Sequence, residues 1–175
     1  FHDFSGDGRP DVVLATFAKT IVWLEQPSEP SKEWRVHLIG TLAPDEPAGT
    51  ALADTNGDGR SDVMVGGYSR GPRDKDGEKV GVTDPVGRIA WFENPGSPPG
   101  EWQRHDILRL KRGMYDAFIP RDMDGDGDID FVATRGNSGE YDGVFWLEQM
   151  RSRRPQKSFT PARESESKNL PLPHP

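Results

Sequence analysis

Hydrophobic residues along this chain fall in short runs of four to six, such as Val12–Ala15 and Ile21–Leu24. The runs are rich in Val, Ile, Phe and Trp and are bounded by Gly, Pro, Asn and Asp, which is typical of β-strands and their turns. No stretch of about 11 residues or more shows a clean helical period. Because these runs are apolar on both alternating faces, both faces of the predicted sheets need a cover. The pattern therefore predicts an all-β protein built from stacked sheets.

The runs belong to a unit that occurs three times. Each unit has an aspartate-rich segment, an apolar run directly after it and, further on, a Trp-centred run. The aspartate-rich segments, here called loops one, two and three, are Asp3–Asp11, Asp54–Asp62 and Asp122–Asp130, and the Trp-centred runs are Ile21–Glu25, Ile89–Glu93 and Val144–Glu148. Trp23 to Trp34 and Trp91 to Trp102 are both 11 residues, and His37 to Asp54 and His105 to Asp122 are both 17. A register this constant indicates one supersecondary unit used repeatedly.

Stacked sheets of one repeated unit are typical of β-propeller blades. A further apolar run before each of the later loops, Thr50–Ala53 and Tyr115–Ile119, predicts the innermost of four strands. We therefore expect a partial β-propeller of about three four-stranded antiparallel blades, over residues 1–53, 54–121 and 122–150. The first blade lacks its inner strand except for Phe1 and His2, and the third lacks the Trp-x-x-His strand. Both gaps favour the C-terminal part of a larger propeller of seven blades, whose remaining blades would be partners of this segment.

The composition excludes several classes of function. The chain has 29 acidic and 22 basic residues and a net charge of −7. Residues 151–175 are basic and rich in Pro and Ser, so we expect a disordered C-terminal tail there. The remaining body is still more acidic, which disfavours nucleic-acid binding and favours hard cations. There is no cysteine, hence no disulfide or thiolate site, and no apolar run long enough to span a membrane.

The aspartate-rich loops are candidate calcium sites, about three in number. Calcium takes six to eight oxygen ligands from carboxylates, amides, carbonyls and water. Each nine-residue loop offers side-chain oxygens at positions 1, 3, 5 and 9 and a backbone carbonyl at position 7, while glycines at positions 4 and 6 allow a tight turn. The predicted ligands are Asp3, Ser5, Asp7, Arg9 and Asp11 in loop one, Asp54, Asn56, Asp58, Arg60 and Asp62 in loop two, and Asp122, Asp124, Asp126, Asp128 and Asp130 in loop three. Without an ion, mutual repulsion is expected to raise the pKa values of these carboxyl groups.

The pattern Asp-x-[Asp/Asn/Ser]-Gly-Asp-Gly-x-x-Asp followed by a strand resembles the FG-GAP/VCBS repeat family. That resemblance implies a β-propeller with calcium in these loops, as in integrin heads and several lectins. The Trp-Phe-Glu-Asn-Pro and Trp-Gln-Arg-His-Asp-Ile runs are also similar to propellers of the aldos-2-ulose dehydratase type. An EF-hand is excluded, because its acidic position 12 would fall on Leu14, Val65 and Ala133.

Two classes of function remain open. The first is a secreted, periplasmic or cell-surface module that binds a glycan or a protein. The second is the propeller portion of a carbohydrate lyase or dehydratase. Glu25, Glu93 and Glu148 recur at one repeat position, which favours a structural role over a catalytic one, and no catalytic residue is assigned. Residues 68–87 form a long polar connection that is either a ligand-binding loop or a solvated insertion.

Overall fold

The prediction of an all-β protein is confirmed. The computed structural model describes residues 1–68, 87–96, 102–109, 113–137 and 142–150, and these ranges contain ten strands and no helix. The strands are β1 (Val12–Ala15), β2 (Thr20–Glu25), β3 (Arg35–Thr41), β4 (Glu46–Ala53), β5 (Asp62–Tyr68), β6 (Arg88–Glu93), β7 (Gln103–Arg109), β8 (Phe118–Arg121), β9 (Asp130–Arg135) and β10 (Gly143–Leu147). The predicted tail at 151–175 and most of the connection at 68–87 lie outside the described residues.

The strands form three antiparallel sheets. Sheet one has the order β1-β2-β3, sheet two has β4-β5-β6-β7, and sheet three has β8-β9-β10. Sheets two and three each take their first strand from before an aspartate loop and their second from directly after it. In sheet one, the backbone pairing of His2 with Asp11 stands where that first strand would be. Each sheet therefore begins before its aspartate loop, with the strand or backbone pairing that precedes the loop in the chain. Each loop joins the first and second positions of its own sheet.

The repeat seen in the sequence is also a repeat of strand register. Trp23 pairs with His37 between β2 and β3, and Trp91 pairs with His105 between β6 and β7. A register shift follows at the same repeat position in both, at Ile21/Val22 and at Ile89/Ala90. The constant spacing of 11 residues between tryptophans therefore corresponds to the same hairpin geometry in β2–β3 and in β6–β7.

One hydrophobic core lies between sheets one and two. Ile21, Trp23 and Ile39 from sheet one pack with Val63, Val65, Ala90 and Phe92 from sheet two. The sheets approach closely, since a Cβ atom built on Gly40 would lie 2.4 Å from Cε1 of the Phe92 ring. The ring of Phe92 occupies the space that a larger side chain at Gly40 would need.

A second core lies between sheets two and three. Met64 and Ile89 from sheet two pack with Phe118, Phe131 and Ala133 from sheet three. Each residue of this set is less than one-tenth exposed. Sheet two is therefore covered on both faces, as the doubly apolar runs predicted, and the three sheets form a stack.

The predicted inner strand Thr50–Ala53 lies within β4, but the predicted strand Tyr115–Ile119 is wrong at its start. Strand β8 begins only at Phe118. The Tyr115 side chain is fully buried, and its backbone N–H donates to the carbonyl of Gly67 in sheet two. This segment therefore crosses between sheets before it joins sheet three.

Candidate metal centre

All three aspartate loops have the same backbone shape. The glycines at positions 4 and 6 adopt positive φ angles: +76° and +85° for Gly6 and Gly8, +78° and +86° for Gly57 and Gly59, and +83° and +92° for Gly125 and Gly127. A Cβ atom at Gly6 or Gly8 would meet nothing within 4 Å. Glycine is therefore needed for its backbone conformation and not for space, as the sequence predicted.

The carboxylate at position 1 organises the turn in each loop. It accepts the N–H groups of both glycines, at 2.7 and 2.7 Å for Asp3, 2.7 and 2.9 Å for Asp54, and 2.7 and 3.1 Å for Asp122. The turn thus wraps its own backbone donors around one side chain. The loop keeps this shape through its own hydrogen bonds.

The aspartate at position 9 is the buried anchor of each loop. Asp11, Asp62 and Asp130 are at most 1% exposed. One oxygen accepts the N–H of loop position 2, at 2.9 Å from Phe4, 3.0 Å from Thr55 and 2.9 Å from Met123. The other oxygen accepts the N–H of the residue directly after the Trp-centred strand, at 2.9 Å from Gln26, 2.8 Å from Asn94 and 2.8 Å from Gln149. This carboxylate therefore joins its loop to two strands of the same sheet.

Those strand-end partners were missed by the sequence reasoning. A signal for them was present, because Gln26, Asn94 and Gln149 each follow a Trp-x-Glu triplet. Gln149 has a second contact, since its side-chain Nε2 donates to the carbonyl of Thr55 at 2.8 Å. It thereby links loop three to loop two.

Loop three brings three carboxylates together. Oxygens of Asp122, Asp124 and Asp130 lie within 4.8 Å of one another, and this is the one such group of acidic or histidine side chains among the described residues. A carboxylate has about four lone-pair sites, so Asp130 keeps acceptor capacity beyond its two backbone bonds. The donor set is all oxygen and carries three negative charges, which suits a hard divalent cation.

Loops one and two differ from loop three at position 7. Arg9 contacts the Asp7 carboxylate, and Arg60 Nη2 lies 2.5 Å from Asp58 Oδ2. Each Nε is also held, by the Gln26 carbonyl at 3.0 Å and the Asn94 carbonyl at 2.8 Å. These two loops therefore contain their own counter-charge. Position 7 of loop three is Asp128, which is 4% exposed.

The other predicted ligands lie in the loops but hydrogen-bond to their neighbours. The Ser5 hydroxyl donates to Asp3 at 3.2 Å, and the Asn56 amide donates to Asp58 at 2.8 Å. The Asp126 carboxylate accepts the N–H of Asp128 at 3.0 Å.

The expected rise in carboxyl pKa values occurs at Asp62 but was wrong for three other aspartates. Burial raises the pKa of Asp62, and the charge of Asp58 adds to this. The Gly8 N–H is the main reason that the pKa of Asp3 is lowered. Burial alone would raise the pKa values of Asp58 and Asp130, but hydrogen bonds outweigh it and both are lowered. Backbone N–H groups thus stabilise these charged carboxylates, and the sequence analysis had assigned that part of the stabilisation to a cation.

The glutamates and histidines of the repeat form structural pairs. His37 Nε2 lies 2.8 Å from Glu25 Oε2, and His105 Nε2 lies 2.9 Å from Glu93 Oε2. The His37 ring stacks on Trp23 with centroids 3.9 Å apart, and the His105 ring stacks on Trp91 at 4.2 Å. Each pair joins the Trp-centred strand to the outer strand of its sheet, which is the kind of strand-end contact expected for Glu25 and Glu93.

Comparison with known proteins supports the repeat. Residues 3–65 match a family model described as an FG-GAP-like repeat. The match spans loops one and two and the first sheet, so the resemblance to the FG-GAP family is confirmed for this segment. No curated protein and no solved structure matches the chain.

The position-9 anchor can be tested at Asp62. In Asp62→Ala, the N–H groups of Thr55 and Asn94 lose their acceptor, at a cost of about 1–3 kcal/mol for each donor left unpaired. Urea unfolding in chelator, which removes any cation contribution, measures the loss. The exposed loop variant Asn56→Ala is the control and should change stability by about 0.5 kcal/mol or less. Equal losses in the two variants would contradict the anchor.

Proposed function

We propose that this chain is a calcium-binding β-propeller repeat module, secreted or displayed at the cell surface, that recognises a glycan or a protein. The convergence of Asp122, Asp124 and Asp130 in loop three is the observation that supports calcium. The FG-GAP-like match supports the repeat type, since such repeats form propeller-like modules.

Calcium would be held in loop three by those three carboxylates, and the bound ion would supply a doubly charged centre that cross-links them. Asp130 is the most consequential ligand, because it begins β9 and its hydrogen bonds reach Met123 in the loop and Gln149 just beyond β10. An ion on Asp130 would stabilise the loop and the strands anchored to it together.

Loops one and two have the same backbone and would hold calcium less tightly. In each, a cation must compete with a guanidinium group for the position-5 carboxylate. Their position-3 residues, Ser5 and Asn56, are neutral, whereas Asp124 is charged. Loop three is therefore the first site to fill.

An extracellular location follows from the same chemistry. Calcium modules that work outside the cell bind at about 10⁻⁴–10⁻³ M, so the loops need only modest affinity to be occupied there. Repeats of this family are typically extracellular. Among the described residues, no helix is long and apolar enough to cross a membrane.

Calcium should raise the melting temperature, because it binds only the folded chain. At about a hundred times the Kd the gain is about 2.7 kcal/mol, or about 5–10 °C. Thermal unfolding with calcium and with chelator measures this. Asp124→Ala should lose more of the rise than Asn56→Ala, its counterpart in loop two. A melting curve that does not respond to calcium would contradict the proposal, and equal losses would contradict the ranking of loops.

The guanidinium group of Arg60 should weaken calcium binding at loop two. Arg60→Gln in an Asp124→Ala background should tighten that binding about 1.4- to five-fold, as expected for an exposed ion pair of about 0.2–1 kcal/mol. Calorimetric titration measures the affinity. Lys32→Gln, an exposed change of equal charge away from the loop, is the control. Unchanged or weaker binding in the Arg60 variant would contradict this competition.

The ligand would be recognised at the edge of the stack opposite the aspartate loops. Strands β5 and β6 have one end at loop two and the other at Tyr68 and Arg88, where the long polar connection leaves and returns. Loops on a rigid scaffold are the usual place for binding residues. On a glycan array, the chain should bind a subset of glycans in calcium and bind them less in chelator, because calcium stabilises the scaffold. An array without any calcium-dependent binding would contradict glycan recognition and leave a protein as the ligand.

A further inference from the structure

Loops two and three are joined by a continuous path of hydrogen bonds that runs through Gln149, just beyond β10. The backbone N–H of Gln149 donates to Oδ1 of Asp130 at 2.8 Å, and its side-chain Nε2 donates to the carbonyl of Thr55 at 2.8 Å. Asp130 is the anchor of loop three, and Thr55 is position 2 of loop two. One residue therefore holds the anchor of one loop and the backbone of the other.

The path continues within loop two to the anchor of that loop. The N–H of Thr55 donates to Oδ2 of Asp62 at 3.0 Å, and the N–H of Asn56 also donates to the Asp62 carboxylate. The carbonyl of Thr55 and the N–H of Asn56 belong to one planar peptide group. The bond from Gln149 therefore orients the same peptide group that donates to Asp62. Hydrogen bonds connected in this way also polarise one another.

The link lies among buried groups. Thr55 is 8% exposed, and the anchors Asp62 and Asp130 are 0% and 1% exposed. The Oε1 atom of Gln149 is also buried, and among the described residues it has no hydrogen-bond partner. The side-chain amide is therefore held through its bond to Thr55. Water competes poorly for a hydrogen bond in such surroundings, so the loss of this bond is not readily compensated.

The link is specific to loops two and three. In sheet two the residue at the same repeat position is Asn94, whose side chain is one methylene shorter. Its Nδ2 donates to the carbonyl of Ser61, within loop two itself, at 3.1 Å, and its Oδ1 accepts the N–H of Gly96 at 2.9 Å. Among the described residues the Asn94 side chain thus bonds locally and does not join loop two to loop one.

We propose that Gln149 couples the cation sites of loops two and three, so that an ion bound in loop three raises the affinity of loop two. This inference rests on the proposed calcium binding. An ion on Asp130 orders the carboxylate that holds Gln149, and Gln149 in turn orders the Thr55 peptide group beside Asp62. Less conformational entropy is then lost when loop two binds its own ion. By linkage, an ion in loop two tightens loop three by the same factor.

A calcium titration followed by nuclear magnetic resonance tests the coupling, because the glycines of each loop report on it separately. The amide signals of Gly57 and Gly59 follow loop two. Those of Gly125 and Gly127 follow loop three. Loop two of the unmodified chain should be half-saturated at a calcium concentration about two- to tenfold lower than in Asp124→Ala, which weakens loop three. This factor is the one expected from a single hydrogen bond.

Variants of Gln149 separate this link from other effects of loop three. Gln149→Met removes the side-chain donor at similar length and keeps the backbone N–H that Asp130 accepts. In this background, Asp124→Ala should no longer weaken loop two. Gln149→Asn retains an amide but is one methylene too short to reach Thr55, and it should behave like Gln149→Met. Gln26→Met, the same change at the same repeat position of sheet one, is the control and should keep the full difference.

The possible results distinguish the coupling from the calcium binding on which it rests. If Gly125 and Gly127 do not respond to calcium, loop three holds no ion, and both proposals are wrong. If they respond but Gly57 and Gly59 do not, the coupling alone is wrong. The same holds if Asp124→Ala weakens loop two equally with and without the Gln149 amide. Dispersed amide spectra in chelator show which variants are folded, and either Gln149 variant is sufficient for the comparison.

Discussion

The structure depends on a buried carboxylate that repeats three times. Asp11, Asp62 and Asp130 each accept an N–H from the loop and another from the residue directly after the Trp-centred run. A buried charge is costly unless it is hydrogen-bonded, so both donors must be held in place for the sheet to form. The loop, the second strand and the third strand of each sheet are thereby fixed with respect to one another. The stacking of sheets then follows from the apolar faces that these strands present.

The three loops share one backbone shape but differ in the charge of their side chains. All three loops turn through the same two glycines and around the same position-1 carboxylate, whether or not their other side chains suit a cation. What differs is the local charge, since Arg9 and Arg60 neutralise an aspartate where loop three has Asp128. The three loops therefore keep one backbone shape while their local charge changes from sheet to sheet.

Periodicity in the sequence was sufficient for much of the fold. The fixed spacing of tryptophans, histidines and aspartates predicted repeated antiparallel hairpins, and the doubly apolar runs predicted a sheet covered on both faces. The start of β8 was not predictable, because Tyr115 is apolar enough to resemble a strand residue yet is buried between two sheets. The hydrogen bonds from Gln26, Asn94 and Gln149 were also missed, because the donor is a backbone N–H that every residue except proline carries, and only the Trp-x-Glu triplet before each residue marks its position. For the same reason the lowered pKa values of Asp3 and Asp130 could not be expected from a count of neighbouring acids.

Loop three is the proposed site of a divalent cation. The most direct measurement is a crystal structure of the chain grown with calcium, with anomalous diffraction used to locate the ion. We expect an anomalous peak between Asp122, Asp124 and Asp130, with oxygens at about 2.3–2.6 Å. Well-ordered density for loop three without such a peak, at a calcium concentration above the extracellular level, would contradict it.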